Sequence, residues 1–164
     1  MKITQHSPTV TIIEQDACRR SILFEDKRYF LSMPPIIFFI KHTKSFKIDL
    51  AYGFFNINKK LYDLPFYNIF FDGKICMGKT KRKFDSLEDL VDGFLKSFWS
   101  SKFTDEASAS VRRYITRDSI CGDYSKWEEK TKKNPKWIPF KSNLIKISCG
   151  GEDSIEIFKT EYTK

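Results

Sequence analysis

The alternation of apolar and polar positions divides the chain into a strand-rich stretch, one amphipathic helix and a punctuated tail. Thr9-Val10-Thr11-Ile12-Ile13 is β-branched and reads as a first strand. Ser21-Ile22-Leu23-Phe24 and Arg28-Tyr29-Phe30-Leu31 flank Glu25-Asp26-Lys27, the arrangement of a hairpin. After Pro34-Pro35, the consecutive apolar residues Ile36-Ile37-Phe38-Phe39-Ile40 predict a strand covered on both faces. Phe46, Ile48 and Leu50 alternate with Lys47 and Asp49, as in a half-buried strand, and Lys59-Lys60 reads as a solvated bend. These segments predict an antiparallel meander.

Leu61 to Cys76 breaks the pattern. Pro65 cannot donate to a ladder, and Asp72-Gly73 is a turn signal. Cys76 is therefore expected just after a tight turn, with Gly78 permitting close approach of backbone or substrate. Thr80-Lys81-Arg82-Lys83 is a basic run, read as a solvated loop or as a landing surface for an acidic partner. Leu87, Leu90, Val91, Phe94, Leu95, Phe98 and Trp99 then form one apolar stripe at helical spacing, which must pack on the sheet and pin the Cys76 loop. Asp85 or Ser86 caps its start, with Glu88 placed as in a capping box. Glu88 and Asp89 in the first turn and Lys96 in the last suit the helix dipole, and Gly93 is expected on the polar side. Past Phe103 the pattern weakens. Thr104-Asp105-Glu106 can cap a short helix from Ala107 to Tyr114, and Cys121-Gly122-Asp123 reads as a turn. Trp127 to Pro139 is a charged surface segment whose Trp127 and Trp137 dock on the core. Ile145 and Ile147, then Ile155 and Ile157, alternate around Gly150-Gly151 as in a closing hairpin.

Composition narrows the class. At 164 residues a single domain over 1–164 is expected. A hydrophobic fraction of 41% and an aromatic fraction of 16% exclude disorder. The net charge of +8 favours an acidic partner or nucleic acid, but the lysines are spread along the chain, which argues against nucleic acid. Cys18, Cys76, Cys121 and Cys149 lie far apart, and only His6 and His42 could join them, so no metal site is expected. The polar start has no signal-type core, and the longest apolar run, Pro34 to Ile40, is of strand length. Cytosolic placement, no membrane span and free thiols are therefore expected.

The candidate chemistry lies in the interrupted stretch. Cys76 follows Asn68 by eight residues across the Asp72-Gly73 turn. A thiol can serve as a covalent carrier, and an amide can steady the negative charge that forms when a carbonyl is attacked. The competing reading makes Cys76 a small buried hydrophobe and has Asn68 bonding its own backbone.

The run Asn68-Ile69, then Gly73-Lys74-Ile75-Cys76-Met77, resembles the active-site motif of ubiquitin-conjugating enzymes, with the same Asn-to-Cys spacing. Pro34-Pro35-Ile36-Ile37-Phe38 resembles the strand that precedes that motif. Phe66-Tyr67 stands where the family has His-Pro, the family's Trp-Ser-Pro after the cysteine is missing, and no N-terminal helix is evident. The segments Leu61 to Asn68, Gly73 to Gly78 and Phe98-Trp99-Ser100-Ser101-Lys102-Phe103-Thr104 are similar to a prokaryotic group typified by PRTRC system protein B, regarded as divergent relatives of those enzymes. The resemblance implies an α+β fold, an antiparallel meander sheet packed on a helix, with an extra hairpin near 44–60 and a divergent part from about 105. It implies a carrier enzyme that needs no cofactor and holds a ubiquitin-like C-terminus as a thioester on Cys76. Asn68 would stabilise the oxyanion, Tyr62, Asp63 and Asp72 would be accessory, and Lys74 and Lys79 would favour the thiolate. The implied partners are a ubiquitin-like protein, a ThiF-type activating enzyme and a JAB-type peptidase, in a bacterial system such as antiphage defence. Two alternatives stay open: a non-catalytic binding module on the same fold, and a basic nucleic-acid module using Phe54, Phe55 and Phe71.

Overall fold

The apolar run after Pro34-Pro35 becomes β5 (Ile36–His42), the middle strand of an antiparallel sheet. The computed structural model describes residues 1–78, 82–103, 109–134, 136–147 and 155, with only the backbone of 102, 103 and 109. β5 lies between β2 (Val10–Gln15) and β6 (Ile48–Ile57), with β1 (Lys2–Ser7) and β7 (Lys60–Asp63) at the edges of this five-stranded sheet. Turns at Glu25-Asp26 and Asn58-Lys59, all at positive φ, sit where the polar punctuation falls. β1 has no apolar alternation and was not foreseen; it pairs with β2 while staying almost wholly exposed. β7 likewise continues past Leu61, where the pattern was expected to break.

The class is α+β, an antiparallel sheet packed on helices, but the strands do not form one meander. β3 (Cys18–Phe24) and β4 (Lys27–Met33) leave the main sheet and form a second one with β8 (Lys102–Phe103), which joins β3 in parallel. The reason lies in side-chain polarity. β2 beside β5 is buried along nearly its whole length; β3 carries Arg19 and Arg20, whose burial there would leave charges unpaired.

α1 (Leu87–Ser100) begins at Ser86, whose Oγ accepts the Asp89 N–H at 3.1 Å and donates to Asp89 Oδ2 at 2.8 Å. Ser86 and Asp89, and not Asp85 and Glu88, therefore make the cap. The last turn holds no base, so Lys96 falls short of the expected position. The stripe buries Leu90, Val91, Phe94 and Phe98, each such side chain contributing about 1.5–3 kcal/mol. Phe38 of β5 meets Phe94 and Phe98 edge-on at 5.3 and 5.0 Å. Gly93 is not on an open polar face: a Cβ there would lie 2.2 Å from Phe84 Cε1. The opposite face of the sheet carries a second cluster that includes Ile37, Phe39, Tyr52, Phe54 and Ile155.

α2 (Ala109–Thr116) matches the expected short helix, whose proposed cap at 104–106 lies outside the described residues. α3 (Tyr124–Lys133) replaces the expected charged surface segment. Its charges other than Glu128 face water, while Tyr124, Trp127 and Thr131 are buried. These side chains cover the free edge of β4. Glu128 Oε1 accepts the Phe30 N–H at 2.9 Å, Thr131 Oγ1 accepts the Ser32 N–H at 3.1 Å, and Trp127 Nε1 donates to Ser32 O at 3.0 Å. An otherwise unpaired strand edge is satisfied by helix side chains. Near the end of the described chain, Asp63 N–H donates to Ile145 O at 2.9 Å and Ile147 N–H to Leu61 O at 3.1 Å, so this segment pairs with β7. The return of the expected closing hairpin lies outside the described residues apart from the buried Ile155. Among the described residues no helix is long and apolar enough to cross a membrane.

Candidate active site

The residues after β7 are held before they reach the thiol. Three successive carbonyls accept hydroxyls from α2 and α3: Asp63 O from Tyr114 at 2.5 Å, Leu64 O from Ser110 at 2.7 Å, and Pro65 O from Tyr124 at 2.8 Å. Pro65 interrupts pairing, so carbonyls that leave the sheet need such partners. Leu64 and Phe66 are fully buried, and Tyr67 stacks on Phe24 at 4.2 Å. The positions that carry Phe-Tyr are thus aromatic core contacts.

The chain then folds on itself. Ile69 bridges Ile75, Phe70 N–H donates to Lys74 O at 2.9 Å, and Cys76 N–H donates to Asn68 O at 2.8 Å. Asn68 and Cys76 are therefore opposed across a short hairpin. Gly53 N–H donates to Gly73 O at 3.0 Å and Ile75 N–H to Ala51 O at 2.8 Å, so this hairpin lies along the first half of β6, beyond the end of β7. Gly73 is required here: its φ is +82°, and a Cβ would strike the Phe54 ring at 1.9 Å.

Cys76 is exposed. It lines a narrow crevice with Asn68, Met77, Phe94 and Ser97 of α1, and Ser101 just after that helix; at about 10 Å³ it has room for roughly one water. Asn68 Oδ1 is buried and has no hydrogen-bond partner among the described residues. A buried polar atom without a partner is unusual and calls for a reason. On its other side Cys76 borders an open groove of about 410 Å³, formed by Leu50, Phe70 and Met77 with Lys74, Arg82 and Asp49.

The remaining candidates are placed differently. Tyr62 is buried in the main core. Asp63 is 1% exposed at its side chain and paired with Arg113 Nη1 at 2.5 Å. Burial pushes its carboxyl up to about 7, against the pull of Arg113 and Arg117. Tyr62 and Asp63 are both buried, and neither lines the crevice or the groove at Cys76. Asp72 is exposed, and its Oδ1 accepts the Lys74 N–H at 3.0 Å, a turn contact. Lys74 borders the groove, while Lys79 lies outside the described residues. Phe54 and Phe55 are fully buried, leaving only Phe71 of the three proposed stacking aromatics exposed. Ser97 and Ser101 beside the thiol do not stand out in the sequence, because helical periodicity assigns a face but not the loop that face meets; Arg82 at the groove belongs to the basic run read as a solvated loop or a landing surface.

Cys121 is buried, and burial pushes its thiol up to about 12. Cys18 is half-buried, and Cys149 lies outside the described residues. Among the described residues no three His, Cys, Asp or Glu gather as metal ligands.

The model of a protein family described as prokaryotic E2 family D matches residues 3–142. No curated protein and no solved structure matches the chain.

Proposed function

The chain belongs to prokaryotic E2 family D, and from that membership we propose that it is a carrier enzyme with Cys76 as its nucleophile. Membership supports a role related to ubiquitin-type conjugation and, in general, dealings with ubiquitin-like proteins and activating enzymes. The finer reading assigns the steps. The Cys76 thiolate attacks the thioester carbonyl of a ubiquitin-like protein held on a ThiF-type activating enzyme. The new S–C bond forms, the old one breaks, and the enzyme's thiolate departs. An amine then attacks the same carbonyl; the C–N bond forms, Cys76 leaves as thiolate, and the amine's proton passes to solvent. A JAB-type peptidase would reverse the modification.

The observation that carries this reading is an exposed thiol opposed to an asparagine whose Oδ1 is buried and has no hydrogen-bond partner among the described residues. With Oδ1 turned inward, Nδ2 is the end of the planar amide left for the crevice, where it would meet the oxyanion. Loss of one such donor costs about 10²–10³ in rate. The groove beside Cys76, formed by Leu50, Phe70 and Met77 with Lys74, Arg82 and Asp49, suits an extended peptide tail whose terminal carbonyl is carried on the thiol. Incubation with activating enzyme, ATP and ubiquitin-like protein should give an adduct that thiols cleave. Cys76→Ala should abolish it, and Asn68→Ala should leave its formation intact while slowing transfer to an amine. Stable binding of the ubiquitin-like protein with no adduct would assign the non-catalytic module instead.

A further inference from the structure

We propose that the groove between β3, β4 and the last turns of α1 docks an acidic segment of a partner protein. The groove measures about 460 Å³, and Arg20, Arg28 and Lys96 converge on it over a floor of Leu23 and Trp99, with no carboxylate in its lining among the described residues. Elsewhere several exposed lysines have partners: Lys2 with Glu14, Lys126 with Asp123, Lys132 with Glu128 and Lys133 with Glu129. Among the described residues none of the three groove cations is ion-paired.

Two of these cations are already held in place. The Arg20 guanidinium lies 4.9 Å from the centre of the Trp99 ring, and that ring is tethered through Nε1 to Gln15 Oε1 at 3.2 Å. Arg20 Nε is buried and has no acceptor among the described residues. Arg28 Nη1 donates to Ser21 Oγ at 3.0 Å. Guanidinium groups ordered before binding reduce the entropy lost on binding, and their planar forks suit carboxylates. Leu23 and Trp99 supply apolar contact, so the fit is to carboxylates interspersed with apolar side chains. A nucleic acid fits less well. Arg20 covers the Trp99 ring and blocks base stacking, and the cations converge instead of following a strand.

The groove's position gives docking a use. At about 100° per residue, Lys96, Trp99 and Ser100 face away from Ser97, Phe98 and Ser101, which line the thiol crevice. A segment in the groove would sit across the width of one helix, ~10–12 Å, from that crevice. The inference concerns binding and does not rest on the thioester reading.

The probe is a fluorescein-labelled peptide of alternating glutamate and leucine, followed by anisotropy in low salt. The wild-type protein should bind it, and Arg20→Ala/Arg28→Ala/Lys96→Ala should weaken binding about tenfold or more. Lys130→Ala/Lys136→Ala/Lys141→Ala removes the same charge from exposed sites elsewhere and should change affinity less than about twofold. Since loss of Arg20 can disturb Trp99, Arg28→Glu/Lys96→Glu is the second variant; both side chains are exposed, and its thermal midpoint should match wild type while binding is lost. Absence of binding by the wild type, equal losses in the two triple variants, or tighter binding of oligothymidylate with the same sensitivity would each overturn the proposal. Thioester formation measured alongside reports on Cys76 separately.

Discussion

Replacing Gly73 by alanine tests how tightly the turn before Cys76 is held. The residue has φ of +82°, and a Cβ there would lie 1.9 Å from Phe54 Cε1 and 2.3 Å from Cζ. The Phe54 ring cannot retreat easily, being fully buried and in ring contact with Phe39 and Tyr52. The left-handed conformation alone costs an L-residue ~1–2 kcal/mol, and forcing extra atoms into a packed core costs ~1–3 kcal/mol. Their sum, ~2–5 kcal/mol, is a large share of the ~5–15 kcal/mol that holds a typical domain folded. At ~2–4 °C per kcal/mol for a chain of this size, the thermal midpoint should fall by about 4–20 °C. Gly78→Ala is the internal control. Its φ is +49°, but no described atom lies within 4 Å of the added Cβ, so only the conformational cost of ~1–2 kcal/mol remains. Urea unfolding followed by circular dichroism measures both losses. Gly73 and Ile75 are bonded to β6 at Gly53 and Ala51, so the displacement should also change the rate at which iodoacetamide alkylates Cys76. Equal stability losses at the two glycines would show that the Phe54 contact does not constrain the turn.

Four further outcomes follow from particular contacts. The Asp63 carboxyl is raised in the folded protein, by burial, to about 7 from an ordinary 3.8, so folding favours its protonated form; this contribution is full below about pH 4 and is lost as pH rises through 7. Asp63→Asn should therefore flatten the fall in stability between pH 5 and pH 8, a slope of at most ~1.4 kcal/mol per pH unit from one group, and an unchanged slope in urea titrations would disprove the assignment. Brief alkylation of the native protein, read by peptide mass spectrometry, should label Cys76 and spare the buried Cys121; labelling of Cys121 at a similar rate would contradict its burial. Thr131→Val keeps the shape but leaves the Ser32 N–H without its acceptor, which should cost ~1–3 kcal/mol in chemical denaturation. Ser86→Ala removes the cap of α1 and should cost ~1 kcal/mol by the same measurement.

Much of the scaffold was legible because its signals are local. The stripe from Leu87 to Trp99 is a helix and the turn at Glu25-Asp26 closes a tight hairpin, while the bend expected at Lys59-Lys60 falls one residue earlier, at Asn58-Lys59. α3 was missed because its pattern is so polar: its buried positions Tyr124, Trp127 and Thr131 are set among lysines and glutamates. Tertiary packing on β4 overrides that weak signal. Phe54 and Phe55 were misjudged because adjacent residues on a strand point to opposite faces, and both faces of this sheet are covered.

The amino-acid sequence alone determined the pairing of Asn68 with Cys76, since a turn at Asp72-Gly73 between them brings residues eight apart in sequence opposite each other. It also determined β5 and α1, whose burial follows from their own periodicity. Only the tertiary structure decided that the thiol is exposed, that Asp63 is sealed against Arg113, and that Arg20, Arg28 and Lys96 share one groove. Those outcomes depend on contacts between segments tens of residues apart, and which surface one element offers another is set by the packing of the whole core.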